Sequence, residues 1–251
     1  FKASMLSKAH TKYIQSLQHK KFRDQTNLFI AETPKLVIEL VNSQYFHCKE
    51  VFALQHWIDK QQETLSGIDS ANIFAVQGFE LANISALSTA HDVLAVFEKR
   101  KPGNDLQLNG NITIALDAIQ DPGNLGTIIR IADWFGIKYI ICGNGTADMY
   151  SPKVVQSTMG SLGRVNIIYT DLPVWLSKNK QVKIYAASLD GKDIRRLGKL
   201  TEGIIIIGNE ANGISDKVLA LVNENISIYK TGRAESLNAA VATGIILSHI
   251  K

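Results

Sequence analysis

The sequence is poor in cysteine and has no long hydrophobic run, and each absence excludes a class of protein. Its two cysteines, Cys48 and Cys142, lie far apart and form no CxxC pair, which argues against a disulfide framework or a zinc site. The histidines show no metal-ligand spacing, so we expect no metal. No apolar run reaches the ~18 residues of a membrane span, and the N-terminus lacks the apolar core of a signal peptide. We therefore expect a cytoplasmic protein with no membrane association. Because the chain begins with Phe1, we expect its natural start to lie upstream.

Two common nucleotide-binding signatures are also missing. No GxGxxG follows the first strand predicted after residue 111, and no GxxxxGK[ST] occurs anywhere. The fragment GNGT at 143–146 is too short to count as a phosphate-binding loop. These absences disfavour a nicotinamide-dependent oxidoreductase or an ATP-dependent enzyme, because the fingerprint that either would need is missing.

Acidic residues are absent from the first 23 residues, whereas the whole chain carries a formal net charge of only +4. Taken alone, such a segment is more often a solvated basic helix than a ligand surface. The alternative is that it lies along phosphates of a nucleic acid. Lys2 belongs to the same segment, and the candidate nucleic-acid-binding residues are Lys8, Lys12, Lys20, Lys21 and Arg23.

The polar stretch EKRKPGNDLQLNGN separates two regions of the chain, predicted as domains over 1–100 and 111–251. In the first region we predict a helix from Ser4 to Gln18 and a helix with Pro34 in its first turn. Helical stretches near 56–65 and before the last strand are also predicted. The predicted strands are LFIAE, EVFAL, NIFAV and VLAVFEK. The pattern indicates a small α/β domain without a catalytic motif.

The second region alternates short apolar runs with helical patterns. Nearly continuous apolar runs are typical of strands buried on both faces of a parallel sheet. Helices are predicted over 124–136, ended by Gly136, and over 235–250. The predicted strands are ITIALD (112–117), KYIIC (138–142), VKIYAAS (182–188), GIIIIG (203–208) and NISIY (225–229). The fold class is therefore α/β with a parallel sheet.

Three loops at strand ends carry unusual residues, and open parallel sheets bind ligands beyond the carboxyl ends of their strands. In the first loop, Asn124 is a candidate helix cap, and Arg130 lies away from the apolar stripe of the helix that follows. Either residue taken alone is more often structural. In the second loop, Glu210 stands in a turn of Gly-Asn-Glu-Ala-Asn-Gly, where a ligand-facing acid and a capping acid are equally good interpretations.

The third loop runs from the strand NISIY through a glycine-containing turn into the last helix. Glu235, Ser236 and Asn238 cluster where that helix is predicted to begin. Ser236 and Asn238 are also ordinary capping residues, so this cluster alone does not decide between a ligand site and a helix start.

Taken in order, the three loops resemble the SpoU (TrmH-type) RNA methyltransferases of the knotted class. The resemblance covers about residues 111–251, and three separate motifs at suitable spacing make it specific. The stretch YSPKVVQSTMGSL between the first and second motifs is similar as well. The matching residues are Asn124, Gly126, Thr127 and Arg130; then Gly208, Glu210 and Gly213; then Gly232, Glu235, Ser236, Leu237 and Asn238. Less specifically, SLQHKKFRDQTNLFIAETPKLVIEL resembles the ribosomal-protein-like (L30e-like) substrate-binding domain that often precedes this catalytic domain.

This resemblance implies the chemistry and the architecture. It implies methyl transfer from S-adenosylmethionine to a ribose 2′-hydroxyl of RNA, and the additional N-terminal domain favours ribosomal RNA. It also implies a deep trefoil knot, which general topology rules would not suggest, and a homodimer. The residues it implies as catalytic are Arg130, Asn124, Glu210, Ser236 and Asn238; those for the cofactor are Gly208, Ile228, Leu237, Ser188 and Gly232.

The sequence departs from the family pattern at several places, and two alternatives in function stay open. Thr33 stands where the family usually has Gly, and Tyr229-Lys230 stands in place of Pro-Met. Gln156 replaces a common Arg. The alternatives are a tRNA 2′-O-methyltransferase and a catalytically silent RNA-binding module on the same fold.

Overall fold

A computed structural model describes the backbone of residues 2–3, and residues 6–100 and 106–251 in full. Packing divides the chain into two compact units, Phe1–Lys101 with Tyr150–Gly163, and Pro102–Met149 with Arg164–Lys251. The segment Tyr150–Gly163 thus belongs by its contacts to the first unit, although it follows the predicted linker in sequence. Residues 101–105 of that linker lie outside the described residues.

Within its described residues, the first unit contains a mixed sheet of five strands in the order β1-β4-β3-β5-β2. The strands β1, β4 and β3 are parallel, and β5 runs antiparallel to both β3 and β2. The strands are β1 (Lys2–Ala3), β2 (Leu28–Glu32), β3 (Cys48–Ala53), β4 (Ile73–Ala75) and β5 (Val93–Glu98). All four strands predicted for this region are present.

The helices of the first unit, numbered in chain order, cover this sheet. Pro34 occupies the first turn of α3 as predicted, where its missing N–H costs nothing. The ring of Tyr150 lies 4.8 Å from that of Phe29 in β2, which ties the start of the later segment to the sheet. The helices are α1 (Lys8–Ser16), α2 (Lys20–Thr26), α3 (Pro34–Val41), α4 (Gln55–Lys60), α5 (Gln62–Leu65), α6 (Gly78–Ile84) and α8 (Pro152–Thr158).

The first predicted helix is shorter than expected, and a second one follows it. The Ser7 side chain accepts from the N–H of His10, so α1 begins at Lys8. Ser4, at the predicted start, lies outside the described residues. The chain then turns and continues as α2, which the sequence pattern did not separate from α1. Its Arg23 is buried and not exposed as the RNA-binding prediction required, because the guanidinium donates to the carbonyl oxygens of Leu17 (2.9 Å) and Gln18 (2.8 Å).

Within its described residues, the second unit contains a sheet of six parallel strands in the order β11-β9-β10-β6-β7-β8. The central strands β10 and β6 are almost fully buried, which explains their continuous apolar sequence. The strands are β6 (Ile112–Asp117), β7 (Tyr139–Cys142), β8 (Asn166–Tyr169), β9 (Ile184–Asp193), β10 (Gly203–Gly208) and β11 (Glu224–Ser227).

The strand β8 was not predicted, and several predicted ends of elements differ from those in the structure. The edge strand β8 is only partly buried and therefore lacks a full apolar run. The strand β9 continues to Asp193, beyond its predicted end. The last helix begins at Ala239 and not at residue 235. The helices of this unit are α7 (Pro122–Trp134), α9 (Leu172–Lys178), α10 (Asp216–Leu219) and α11 (Ala239–Ile250).

Candidate active site

The carboxyl end of β6 is fixed to the loop that follows β10. Asp117, the last residue of β6, is buried, and its Oδ2 accepts from the backbone N–H of Ser215 at 2.7 Å. The next residue, Ala118, has a left-handed φ of 57° and offers its carbonyl oxygen to the side-chain amide of Asn209 at 2.8 Å. These two bonds hold two central strand ends in register.

The loop after β10 is a closed turn that carries Glu210. The backbones of Asn209 and Gly213 bond to each other in both directions at 2.9 Å. The Asn209 Oδ1 also accepts from the N–H groups of Ala211 and Asn212 inside the turn. A Cβ on Gly208 would lie 2.4 Å from the carbonyl carbon of Gly213, so the tight closure requires glycine there. Glu210 is therefore an exposed carboxylate on a constrained loop.

The first helix after β6 begins earlier than predicted, and Asn124 is not its cap. Asp121 accepts from the N–H of Asn124 at 2.8 Å, and Pro122 takes the first helical position. This corrects the expectation of a capping role, because the Asn124 side chain lies inside the first turn and is available for other contacts.

Hydrogen bonds join one residue from each of the three motifs. The Asn124 Nδ2 donates to Glu210 Oε1, and the Asn238 Nδ2 donates to Asn124 Oδ1 at 2.8 Å. The Asn238 Oδ1 in turn accepts from the N–H groups of Ala240 and Val241 and so caps α11. Asn124 thus uses both halves of its amide, and the chain of bonds fixes the start of α11 against the start of α7. The residue pattern alone did not show this network.

Arg130 and Ser236, the two other predicted catalytic residues, are not part of that network. At 1.5 Å rise per residue, Arg130 lies about 9 Å further along α7 than Asn124. Its side chain is exposed, and among the residues that the structure describes it makes no hydrogen bond or ion pair. Ser236 is exposed before α11, again with no hydrogen bond to its side chain from the described chain. The Arg130 guanidinium is therefore available to a ligand.

A bulge in β9 places the predicted cofactor residue Ser188 in unusual surroundings. Residues 187–191 intervene between two positions of β9 whose partners, Asn225 and Ile226, are adjacent in β11. A Cβ on Gly191 would lie 2.7 Å from the carbonyl carbon of Asn225, so the bulge returns to the sheet at a point that only glycine tolerates. Within the described chain, the Ser188 Oγ is buried and has no hydrogen-bond partner. A buried hydroxyl without a partner suits a site that a polar ligand completes.

Two of the other predicted cofactor residues lie at strand ends of this unit, and two lie on the segment before α11. Gly208 ends β10, and Ile228 follows β11 directly and is half-buried. Gly232 and Leu237 lie on the exposed segment before α11, where the Leu237 side chain is 45% exposed. A buried hydroxyl without a partner in the described chain, on a strand of a parallel sheet, fits a polar cofactor such as S-adenosylmethionine.

An arginine stacks on the residue that departs from the family pattern. The Arg195 guanidinium lies 3.8 Å from the ring centre of Tyr229, which is 58% exposed. Arg195 also donates to both carboxylate oxygens of Asp193, and these hydrogen bonds hold the pKa of Asp193 below its ordinary value. Tyr229 therefore has a fixed neighbour that a proline at this position would not bind in the same way.

The predicted RNA-binding residues of the first unit differ in their surroundings. Lys8, Lys12 and Lys21 are exposed. Lys20 pairs with Asp24 at 2.7 Å, the acid that follows the acid-free segment directly. Arg23 is the buried exception already described. The side chain of Lys2 lies outside the described residues.

Sequence reasoning missed three side chains that shape the site, namely Asp117, Asp121 and Asn209. Each follows or ends a predicted strand, and an Asp or Asn in that position was the available signal. Among the residues that the structure describes, no cluster of His, Cys, Asp and Glu is arranged to hold a metal ion. No helix in the described chain has the length and apolar character needed to cross a membrane.

The second unit is an α/β domain whose parallel sheet carries a polar hydrogen-bond network and a buried unpaired hydroxyl at strand ends, the arrangement of a nucleotide- or cofactor-dependent transferase. Residues 111–248 match the SpoU rRNA Methylase family, and residues 8–95 match the MRM3-like substrate binding domain. The first match spans more than half of the chain, and the chain belongs to the SpoU rRNA methylase family.

Two relatives show how far the similarity extends. The 23S rRNA (guanosine(2553)-2′-O)-methyltransferase RlmP of Bacillus subtilis (strain 168) is 31% identical over 241 residues, which cover 94% of each chain. The crystal structure of an AdoMet-bound rRNA methyltransferase from Sinorhizobium meliloti superposes with a TM-score of 0.87 at 31% identity, covering 98% of this chain and 95% of that one. The resemblance predicted from the three motifs is confirmed, as is the α/β fold with its parallel sheet.

Proposed function

We propose that this protein transfers a methyl group from S-adenosylmethionine to a ribose 2′-hydroxyl of ribosomal RNA. The observation that carries the proposal is the hydrogen-bond network of Asn238, Asn124 and Glu210. This network joins the three motifs of an RNA methylase beyond the carboxyl ends of the strands. Similarity to a 23S rRNA 2′-O-methyltransferase over 94% of the chain supports ribosomal RNA as the substrate.

Bound S-adenosylmethionine supplies an electrophilic methyl carbon on its sulfonium sulfur. The Ser188 hydroxyl, which is buried without a partner in the described chain, would bind the cofactor together with backbone groups near Gly208 and Ile228. Leu237 and Gly232 would line the same site. These residues hold and orient the cofactor, and positioning of this kind supplies much of the rate of a transfer between two bound groups.

Arg130 would act on the attacking ribose oxygen. A ribose hydroxyl is a poor nucleophile at neutral pH, and its proton must leave as the new O–C bond forms and the S–C bond breaks. A guanidinium cannot accept that proton, because it stays protonated in proteins. Arg130 therefore stabilises the developing alkoxide or holds a neighbouring phosphate, with the proton passing to water. Asn124, Glu210, Ser236 and Asn238 would orient the nucleotide and Arg130.

The architecture implied by the family belongs to the same proposal. The trefoil knot would form where the segment before α11 passes the strand ends, which the bond between Asn238 and Asn124 supports. A homodimer is supported by Trp134 and Val241, which are 85% and 50% exposed on the mutually packed helices α7 and α11. Residues 1–100, an L30e-like domain, would bind RNA, and 111–251 would carry the chemistry. Buried free cysteines are consistent with a cytoplasmic location.

The test is to map 2′-O-methyl groups in RNA from cells with and without this protein, and to measure methyl incorporation into ribosomal and transfer RNA in vitro. Loss of one ribosomal 2′-O-methyl group in the deletion strain, restored by the wild-type gene, is the expected result. A lost methyl group in tRNA would redirect the proposal to tRNA. Cofactor binding without methyl incorporation into either RNA would indicate a silent RNA-binding module.

A further inference from the structure

A cavity lies between α1 and α6 of the first unit, and none of its lining residues belongs to the candidate active site. Its volume is about 320 Å³. That is the lower end of the ~300–1,000 Å³ range of small-ligand sites, which suits one nucleobase. Nothing in the three catalytic motifs involves it.

One wall of the cavity is a single stripe of α1. Lys8, Thr11, Lys12 and Gln15 follow the i, i+3, i+4, i+7 spacing that places side chains on one helical face. The opposite face of the helix is in the core, where Ile14 is fully buried. A core-packed helix thus presents two cations and two polar groups to the cavity.

The other wall is formed by α6 and carries an aromatic ring in an exposed position. Phe79 is 60% exposed, although it lies two residues from the buried Leu81 of the same helix. A single exposed phenylalanine is common on protein surfaces. Here it lines a cavity with two lysines, and that combination is what a base with its phosphate requires.

The exposed charged side chains that line the cavity are both lysines. Glu80 is the acid among the lining residues, and it is buried. Its two oxygens accept from the N–H groups of Leu6 and Gln77, each at 2.8 Å. The two exposed lysines, Lys8 and Lys12, outnumber this buried carboxylate, so the lining carries a net positive charge.

The helices α1 and α6, which form the two walls, are linked by a hydrogen bond that does not involve the side chains of Thr11 and Asn83. The Gln15 Nε2 donates to the backbone oxygen of Asn83 at 2.6 Å and so links α1 to α6. Within the described chain, the side chains of Thr11 and Asn83 make no hydrogen bond and are available to base edges.

We propose that this cavity binds one unstacked nucleotide of a single-stranded RNA segment, with its base against Phe79 and its phosphate between Lys8 and Lys12. This inference rests on the proposed function, because it places part of the RNA substrate. Aromatic stacking accepts any base, whereas Thr11 and Asn83 can favour one through its hydrogen-bonding edge. The cavity would therefore bind a nucleotide of the RNA substrate other than the one that is methylated.

The experiment measures binding of fluorescein-labelled single-stranded RNA decamers to the full chain by anisotropy. Phe79→Ala is expected to raise the Kd roughly 5- to 150-fold, the fold-change equivalent of losing one base–aromatic stack. Phe79→Trp should keep the affinity. The matched control is Phe22→Ala, which removes a ring 40% exposed on α2, outside the cavity. Thermal melting verifies that each variant is folded.

A decamer containing 2-aminopurine reports stacking directly, since its fluorescence is quenched against a ring. Wild-type protein should quench it at one position, and Phe79→Ala should not. Lys8→Gln with Lys12→Gln should lower the slope of log Kd against log salt by about 0.7, the value for one phosphate contact of a single strand. Lys60→Gln on α4 is the control for charge.

Unchanged RNA affinity in Phe79→Ala, or an equal loss in Phe22→Ala, would overturn the inference. Saturation of the cavity by an acidic peptide decamer that RNA fails to displace would also overturn it. Methyl incorporation by the wild-type protein is measured on the same preparation. If the wild-type protein methylates RNA but Phe79→Ala binds RNA normally, nucleotide binding in the cavity is refuted and the proposed function stands. If the base stacks on Phe79 but no methyl group is transferred, the proposed function is refuted and the binding site stands.

Discussion

The side-chain amide of Asn238 donates to the Oδ1 of Asn124 at 2.8 Å, and through this bond the last helix of the chain is tied to the first helix of the catalytic unit. Asn124 passes the connection on to Glu210. The two asparagines are separated by 114 residues in sequence. A single amide that donates and accepts at once is therefore the junction of the three motifs.

Asn124→Asp tests this junction. The new carboxylate cannot donate to Glu210 and instead repels it, so we expect the free energy of unfolding to fall by about 1 kcal/mol. Methyl transfer should fall about tenfold or more, at the level of lost positioning. Chemical denaturation and single-turnover methylation are the measurements.

Adding Glu210→Gln in the same chain is the control for that prediction. An amide at position 210 can donate to the carboxylate introduced at position 124 and removes the repulsion, so the double variant should recover part of the lost stability. A coupling free energy near zero in this double-mutant cycle would show that the two side chains do not interact in solution.

Thr33 departs from the family pattern at a position where the backbone conformation is unfavourable for threonine. Its φ is 80°, a region that β-branched residues rarely adopt. We expect Thr33→Gly to raise the free energy of unfolding by roughly 1 kcal/mol, because relief of the strain exceeds the added freedom of the unfolded chain. Thr26→Gly, at the last residue of α2, where φ is not positive and the hydroxyl donates to the carbonyl oxygen of Phe22, should lower it. Stability losses of similar size in both variants would contradict the role of the φ angle.

Several features of the fold could be predicted from the sequence because they are local. Buried parallel strands such as β6 and β10 have continuous apolar runs, and Pro34 marks a helix start. The edge strand β8 is half-exposed, so its sequence lacks that signal. The burial of Arg23 depends on the carbonyl oxygens of Leu17 and Gln18, which are placed to accept from its guanidinium by the turn of the chain between α1 and α2.

The candidate site also combines residues that the sequence identifies with contacts that arise only in the folded chain. Asn124, Glu210 and Asn238 were found through the resemblance of three motifs to a family, and their bonds to one another arise from tertiary folding. The capping role assigned to Asn124 was wrong because Asp121, three residues earlier, competes for the same helix start. The unpaired Ser188 hydroxyl depends on the bulge in β9, which no local pattern predicts.

Glu32 gives the first unit a stability that depends on pH. Burial raises the pKa of this carboxyl above the ordinary 4.5, although hydrogen bonds from Ser85 and the N–H of Ala86 oppose the shift. A raised pKa in the folded state means that protonation favours folding. This contribution is fully present below pH 4.5 and is lost as pH rises through the folded-state pKa.

Glu32→Gln removes the titration and keeps an acceptor for Ala86. The free energy of unfolding of the wild type, minus that of Glu32→Gln, should therefore decrease as pH rises from 4.5. Denaturant unfolding at a series of pH values measures it. Glu63→Gln, which alters an exposed carboxylate of α5, is the control. A difference that increases with pH would mean that the hydrogen bonds outweigh burial.

Arg130 is the residue on which the proposed chemistry depends most directly. If its guanidinium stabilises the attacking oxygen, Arg130→Ala should lower single-turnover methylation by about a hundredfold or more. Arg130→Lys should restore little, because a point charge does not replace the planar fork. Affinity for S-adenosylmethionine, measured by calorimetry, should be unchanged, since the predicted cofactor residues lie on other loops.

Arg164→Ala is the matched control for the loss of a surface arginine. Arg164 pairs with Asp133, which lies on the same helix as Arg130, at 2.9 Å, so the variant disturbs α7 without touching the proposed oxygen-binding group. Alanine is a good helix former, and an arginine that only decorates α7 could be replaced with little effect. Near-normal turnover in Arg130→Ala would therefore refute the role of Arg130, while membership of the SpoU family would stand. A hundredfold loss in Arg130→Ala beside full activity in Arg164→Ala would assign the effect to the guanidinium itself.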